Sequence, residues 1–214
     1  MKIVVTGSSG GIGVEVVKKF LAEGHEVIGI DIAPSKIEDA RYAHHVADIR
    51  GELPEIDDVE GLVLCAGTIE ESEAIDVNLC GTIKAAEKYS TSSVLKSVVI
   101  IASASARNGA EFPQYVASKG GIVTYMKNLA VRLAPRGVTV NSISPGAVIT
   151  PMNRHILNDP DKFRLVSEES LLKKWATPEE IADWIYFLGV VNKSMTGEDL
   201  LIDNGEMLKS NFIW

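Results

Sequence analysis

The chain has 214 residues, 46% hydrophobic and 23% charged, which is the balance of a folded globular protein with a full-sized core. Its 29 acidic and 21 basic residues give a formal net charge of −8, which argues against nucleic acid or an anionic membrane surface as the main partner. No apolar run approaches the ~20 residues of a membrane helix, and the first one is too short for a signal-peptide core. The two cysteines, Cys65 and Cys80, belong to no CxxC pair, so the reading is a cytoplasmic protein with buried, reduced thiols and no metal site.

Short apolar runs alternate with amphipathic stretches along the whole length. Residues 3–5 read as a strand, followed by a glycine turn and a helical pattern to about Ala22, which Gly24 ends. Residues 27–30 form the next strand, and 42–47 a weaker one. A short buried strand at 62–65 runs into Ala66-Gly67, and a helical pattern follows over about 72–89. The β-branched run 94–102 is a strong strand signal. A long helical pattern covers 114–133, and strands at 138–143 and 199–202 complete the order. Strands that are apolar at nearly every position are buried on both faces, and strand–helix alternation makes them parallel. The fold class is therefore α/β: a doubly wound, mostly parallel, Rossmann-like sheet in a single domain over 1–214. Its ligand crevice is expected at the carboxyl ends of the strands.

The residues with chemistry in them follow those strands. Thr6-Gly7-Ser8-Ser9-Gly10-Gly11-Ile12-Gly13 joins the first strand to the first helix. Glycines there allow positive φ and remove the Cβ, so backbone N–H groups and the helix N-terminus can approach a pyrophosphate. Asp31 ends the second strand, 18 residues after Gly13. A carboxylate there accepts from both ribose hydroxyls and repels a 2′-phosphate, so NAD is favoured over NADP. The bland alternative is a solvated turn aspartate before Pro34. Lys36 and Arg41 are the nearest downstream cations.

Tyr115 and Lys119 are spaced to share one helix face about a turn apart. A nearby ammonium favours the phenolate, which suits Tyr115 to acid/base work. The strand before them ends at Ser103-Ala104-Ser105, where a hydroxyl can donate to a substrate oxygen. Ser103 comes directly off the strand, and Ser105 is the second candidate. Asn78, a polar amide in an apolar helical stretch, either holds a water or a backbone carbonyl or merely satisfies a helix distortion.

Taken together, these motifs resemble the short-chain dehydrogenase/reductase family in its compact single-domain form. Thr6-Gly7 with Gly11 and Gly13 matches TGxxxGxG, and Ala47-Asp48-Ile49 matches the aspartate that contacts adenine. Cys65-Ala66-Gly67 stands where the family has NNAG. Asn78, Ser103, Tyr115 and Lys119 match its catalytic tetrad. Pro145-Gly146 with Val148, Ile149 and Thr150 matches the segment that holds the nicotinamide carboxamide. Pro178-Glu179-Glu180-Ile181-Ala182 and Asp203-Asn204-Gly205 resemble its C-terminal landmarks.

The resemblance implies an enzyme that interconverts a secondary alcohol and a ketone on NAD. Tyr115 is its acid/base, and Lys119 lowers the Tyr115 pKa and binds the nicotinamide ribose. Ser103 polarises the substrate oxygen, and Asn78 supports a relay water. The implied cofactor residues are Gly7, Ser9, Gly11, Ile12, Gly13, Asp31, Asp48, Ile49, Cys65, Ala66, Gly67, Tyr115, Lys119, Pro145, Gly146, Val148 and Thr150. Homodimers or homotetramers, built on helices such as 72–90 and 114–133, are the implied assembly.

Several features depart from the family pattern. The stretches 48–62 and 67–78 are shortened, which places the deletions on the adenine side and the subunit surface, away from the tetrad. The NNAG asparagines are replaced by Leu64-Cys65, and Ser103 to Tyr115 is one residue shorter than usual. These losses motivate an alternative, a non-catalytic dinucleotide-binding redox sensor or scaffold. A lid at about 150–175 mixes apolar residues such as Met152, Ile156 and Phe163 with Arg154, His155 and Lys162. It leaves the identity of the alcohol or ketone open.

Overall fold

The computed structural model describes residues 1–208. The part of the single-domain expectation that covers 209–214 lies outside the described residues. β1 (Lys2–Thr6), α1 (Gly11–Ala22) and β2 (Glu26–Asp31) form the first crossover unit, followed by β3 (Tyr42–Val46) and β4 (Gly61–Leu64). A short 3-10 turn (Glu71–Glu73) and a π-helical stretch (Ile75–Gly81) lead into α2 (Thr82–Tyr89) and β5 (Ser97–Ile101). Next come α3 (Ser105–Asn108), α4 (Pro113–Leu133) and β6 (Thr139–Pro145). After them α5 (Arg154–Leu157) and α6 (Pro160–Ser167) precede α7 (Pro178–Tyr186) and β7 (Asp199–Ile202).

The seven strands form one sheet in the order β3-β2-β1-β4-β5-β6-β7, and every pairing is parallel. The order reverses at β1, between β2 and β4, so the crevice opens above the carboxyl end of β1. The two-residue period of a strand divides the core. Val4, Leu62, Leu64, Val98 and Ile100 face α2 and α4, where Ile122, Met126 and Leu129 meet them. Ile3, Val5, Val63 and Val99 face the other way, onto Val16, Val17 and Phe20 of α1 and Ile181 and Ile185 of α7. Both faces are covered, which is why these strands read as continuous apolar runs.

Two local features differ from the sequence expectation, and a third, the connection from β3 to β4, is as short of a crossover helix as its length implies. The run 94–102 begins pairing only at Ser97, because Ser92 to Leu95 close a turn that leaves Val94 exposed. The helical stretch 72–89 is three kinds of helix in succession. The shortened connection from β3 to β4 has no helix. Ile49, Leu53 and Val59 fill that face of the core instead, and the Tyr89 hydroxyl donates to the Pro54 carbonyl at 2.9 Å to hold the segment down.

The expectation of two buried thiols also needs correction. Both cysteines are free, but Cys65 is half-buried and Cys80 is exposed. Asn78 faces inward on the same turn, and two residues further round a helix lies about half a turn away, so Cys80 points outward.

Candidate functional site

One cavity of about 900 Å³ runs across the carboxyl ends of the strands from Asp31 to Glu206. Of the expected cofactor residues, all but Ser9 line it. The turn from β1 to α1 is shaped by the absence of side chains. Gly7 has φ +69°, and a Cβ on it would come 2.7 Å from the Ala66 nitrogen. A Cβ on Gly13 would come 1.9 Å from the Gly7 carbonyl oxygen. The amino end of α1 has no side-chain cap and no acid in its first turn, which leaves its N–H groups and partial positive charge open to an anion. Bare glycines, free amides and a helix dipole at one spot fit the pyrophosphate of a dinucleotide.

Ser9 has a different place. Its N–H donates to Asp31 Oδ2 at 2.9 Å and its hydroxyl to the Ala33 carbonyl at 3.1 Å. Asp31 also accepts from the Ala33 N–H at 2.9 Å. Each carboxylate oxygen of Asp31 thus carries one protein hydrogen bond and keeps acceptor capacity for a ribose hydroxyl. Neither Lys36 nor Arg41 lines the cavity, and Arg41 pairs with Asp39 at 3.1 Å. Asp48 is held by Arg50 (2.7 Å), which also reaches Glu73 (3.1 Å), and this contact keeps the Asp48 carboxyl below its usual range. Ile49 is mostly buried, and Gly81 is needed beside it, since a Cβ there would come 2.6 Å from Ile49 Cγ2.

At the other end of the cavity the four tetrad candidates lie on adjoining elements. Tyr115 and Lys119 sit on the first turns of α4, 9% and 6% exposed. Lys119 Nζ donates to the Ile101 carbonyl at 3.1 Å and lies 5.7 Å from the centre of the Tyr115 ring. Burial pulls the Lys119 ammonium down to about 8 and pushes the Tyr115 phenol up to about 12. The Ser103 hydroxyl beside the phenol partly offsets the latter. The charge of Glu111 adds to the rise, and the lowering expected from Lys119 does not operate in this arrangement. The ammonium is turned to a carbonyl, and desolvation of the phenol is the larger effect.

The two serines have distinct places. Ser103 is half-exposed on the cavity wall beside Tyr115. Ser105 is 4% exposed, and its hydroxyl donates to Ser103 Oγ at 2.8 Å. Asn78 is fully buried behind the wall. Its Oδ1 accepts from the Thr68 N–H at 2.7 Å, and its Nδ2 donates to the Thr68 carbonyl (3.0 Å) and to Ser118 Oγ (3.1 Å). The side chain thus holds backbone, within a stretch that is itself distorted to π geometry. A Cβ on Gly67 would come 3.1 Å from Asn78 Oδ1 and 3.5 Å from Lys119 Nζ, so this glycine lets both groups close in.

Glu71 was not visible in the motifs. α4 starts without a cap from its own N-cap residue, Phe112. Glu71 supplies one from a distance: its Oε1 accepts from the Gln114 N–H at 2.7 Å and its Oε2 from the Tyr115 N–H at 3.4 Å. The shortening of 67–78 therefore reaches the tetrad, because it brings Glu71 onto the amino end of the helix that carries Tyr115. Arg107 is turned away to Asp199 (2.8 Å), and the exposed His155 does not line the cavity.

Comparison with known proteins agrees with this arrangement. A family model described as enoyl-(acyl carrier protein) reductase matches residues 59–206. One described as the NAD dependent epimerase/dehydratase family matches 3–114, which ends just before Tyr115 and covers the nucleotide-binding half. The chain is 30% identical to the short-chain reductase protein NovJ of Streptomyces niveus, covering 94% of this chain and 92% of that one. It is 28% identical to glucose 1-dehydrogenase of Gluconobacter oxydans, covering 99% and 93%. A solved short-chain dehydrogenase family protein from Francisella tularensis matches with a TM-score of 0.87 at 27% identity, covering 97% and 99%. Relatives named as dehydrogenases and reductases favour an enzyme over the sensor or scaffold alternative. The chain belongs to the short-chain dehydrogenase/reductase family, whose members are NAD(P)-dependent oxidoreductases.

Proposed function

We propose that the protein interconverts a small secondary alcohol and its ketone, with NAD as the preferred cofactor and Tyr115 as the general acid/base. The observation that carries this reading is the single cavity in which the bare glycine turn and the Ser103–Tyr115–Lys119 group open onto the same space. The bound nicotinamide supplies or accepts the hydride. The protein's own part is to bind, orient and move a proton. Gly7, Gly11, Ile12 and Gly13 cradle the pyrophosphate, and Asp31 takes the adenosine ribose hydroxyls. Asp48 borders the adenine, Cys65 to Gly67 form the floor, and Pro145 to Thr150 hold the carboxamide. Ser103 donates to the substrate oxygen. In oxidation Tyr115 Oη removes the hydroxyl proton, and in reduction it returns one.

Lys119 is placed to turn from the Ile101 carbonyl to the nicotinamide ribose and the phenol, where its charge lowers the phenol's pKa. Asn78 supports the relay water. Its side-chain amide already holds Thr68 and Ser118, so its backbone carbonyl is the acceptor available for that task. The segment of about 150–175 is the lid, tied at its far end by the Ala176 N–H to the Ala147 carbonyl (3.0 Å) and by the Leu172 N–H to the Asn204 carbonyl (3.1 Å). A cytoplasmic homodimer or homotetramer packed through α2 and α4 completes the proposal.

The test is a panel of secondary alcohols and ketones with NAD(H) and NADP(H), followed by the absorbance of reduced nicotinamide. Turnover is expected with NAD(H) and is expected to vanish in Tyr115→Phe while NAD still binds. Activity retained in that variant overturns the assignment.

A further inference from the structure

Glu111 and Glu206 also line the cavity beside Ser103 and Tyr115, and the chemistry above leaves both unused. Glu111 lies between α3 and α4 with φ +84°, a left-handed backbone that is costly for a residue with a Cβ. Glu206 opens the 3-10 turn Glu206–Leu208, and its Oε2 stands 3.3 Å from where a Cβ on Gly146 would be, over the segment that borders the nicotinamide site. Among the described residues neither carboxylate takes part in an ion pair. Partial burial raises both carboxyls above their usual range. For Glu111 the Ser105 hydroxyl and the charge of Lys119 work against that rise, and the charge of Glu206 adds to it. Among the described residues the cavity wall holds two cations: Arg50, paired at the adenine end, and Lys119. Met152, Ile156, Val166 and Trp175 give the same cavity an apolar stretch of wall.

This end of the cavity thus offers two acceptor-only groups, one proton-transfer pair and a hydrophobic face. An anionic substrate meets two like charges, and Lys119, the one cation at this end among the described residues, is turned to the Ile101 carbonyl and taken up by the cofactor and the phenol in the reading above. A monohydric alcohol buries the carboxylates against carbon, which leaves acceptors unmet. An aminoalcohol cation satisfies the acids but adds a second positive charge beside the buried ammonium of Lys119. A neutral polyol meets all the conditions, since hydroxyls flanking the reacting carbon donate to carboxylates and its C–H face lies on the apolar wall.

We propose that Glu111 and Glu206 are specificity-determining residues that select an uncharged, polyhydroxylated substrate by accepting hydrogen bonds from hydroxyls flanking the reacting carbon. This rests on the alcohol–ketone reading above.

The test measures kcat/KM of the full chain with NAD for four probes: galactitol, cyclopentanol, gluconate and 1-amino-2-propanol. Glu111→Gln, Glu111→Ala and Glu206→Gln are compared with the natural protein, and cofactor binding checks that each variant folds. The natural protein is expected to prefer galactitol to the other three. Each Ala or Gln variant is expected to lower the galactitol-to-cyclopentanol ratio by about tenfold or more, mainly through KM, as loss of a charge-assisted hydrogen bond requires. An unchanged ratio overturns the proposal, as does a natural preference for cyclopentanol, gluconate or the aminoalcohol. Turnover of cyclopentanol that depends on Tyr115, without turnover of galactitol, sinks this inference and leaves the alcohol–ketone reading standing. No turnover of any probe, or turnover indifferent to Tyr115→Phe, overturns both.

Discussion

The two ends of the cavity treat their carboxylates in opposite ways. At the adenine end Asp31 accepts from the Ser9 and Ala33 amides, and Asp48 is locked to Arg50. At the reacting end Glu111 and Glu206 have no ion pair among the described residues. A carboxylate met by the protein's own donors fixes the shape of a wall. One left short of donors defines what a ligand has to bring. The first arrangement suits a cofactor of constant structure, and the second suits a substrate to be told apart from its neighbours.

The comparison breaks hardest at the glycine turn. Gly13→Ala sets a Cβ 1.9 Å from the Gly7 carbonyl, so NAD binding measured by calorimetry is expected to be lost while circular dichroism still reports a folded sheet. Binding within tenfold of the natural protein contradicts the cradle. Asp31→Ala removes the proposed acceptor for the ribose hydroxyls and is expected to weaken NAD by about tenfold to a hundredfold. NADP should lose much less, so the gap between the two narrows. A natural protein that binds NADPH more tightly than NADH shows that Asp31 has been misread.

The next effect is on stability. Burial lowers the Lys119 pKa from 10.5 to about 8, so between pH 8 and 10.5 the unfolded chain binds more protons than the folded one. Stability linked to Lys119 therefore rises with pH across that window, and at pH 7 its charge is a burden on the fold. Lys119→Met is expected to abolish turnover yet raise the thermal midpoint at pH 7, by about 1–3 kcal/mol of stability. The gain should shrink toward pH 10.5. A variant that is less stable at both pH values contradicts the buried-ammonium account. The smallest effect is that of Glu71→Ala, which uncaps α4 for about 1 kcal/mol and is expected to lower kcat several-fold. Unchanged kcat and melting would show that the Tyr115 helix holds its place without it.

The parts of this molecule that are legible in its sequence are those in which neighbouring residues act together. Gly7 to Gly13 between a strand and a helix, and Tyr115 with Lys119 one turn on, carry their geometry in their spacing. Strands β1, β2, β4, β5 and β6 are legible because both faces of the sheet are covered there, and the edge strand β3, with exposed positions, reads more weakly. Glu71 is not legible, since it caps Gln114 from 43 positions away, a contact that only the folded chain makes. Glu111 and Glu206 belong to no motif, and only the fold brings them to one cavity. Ser103 and Ser105 are separated only by the start of α3, which turns the second serine behind the first. Asp48 hides its partner too, because Arg50 claims its carboxylate within the same tight turn.

The most direct measurement follows a secondary alcohol carrying deuterium on its carbinol carbon, incubated with the protein and NAD, with the reduced cofactor weighed by mass spectrometry. The account predicts that the natural protein passes deuterium to the nicotinamide. Tyr115→Phe should bind NAD but transfer deuterium at least about a hundredfold more slowly. Deuterium transfer at an undiminished rate in Tyr115→Phe would contradict it.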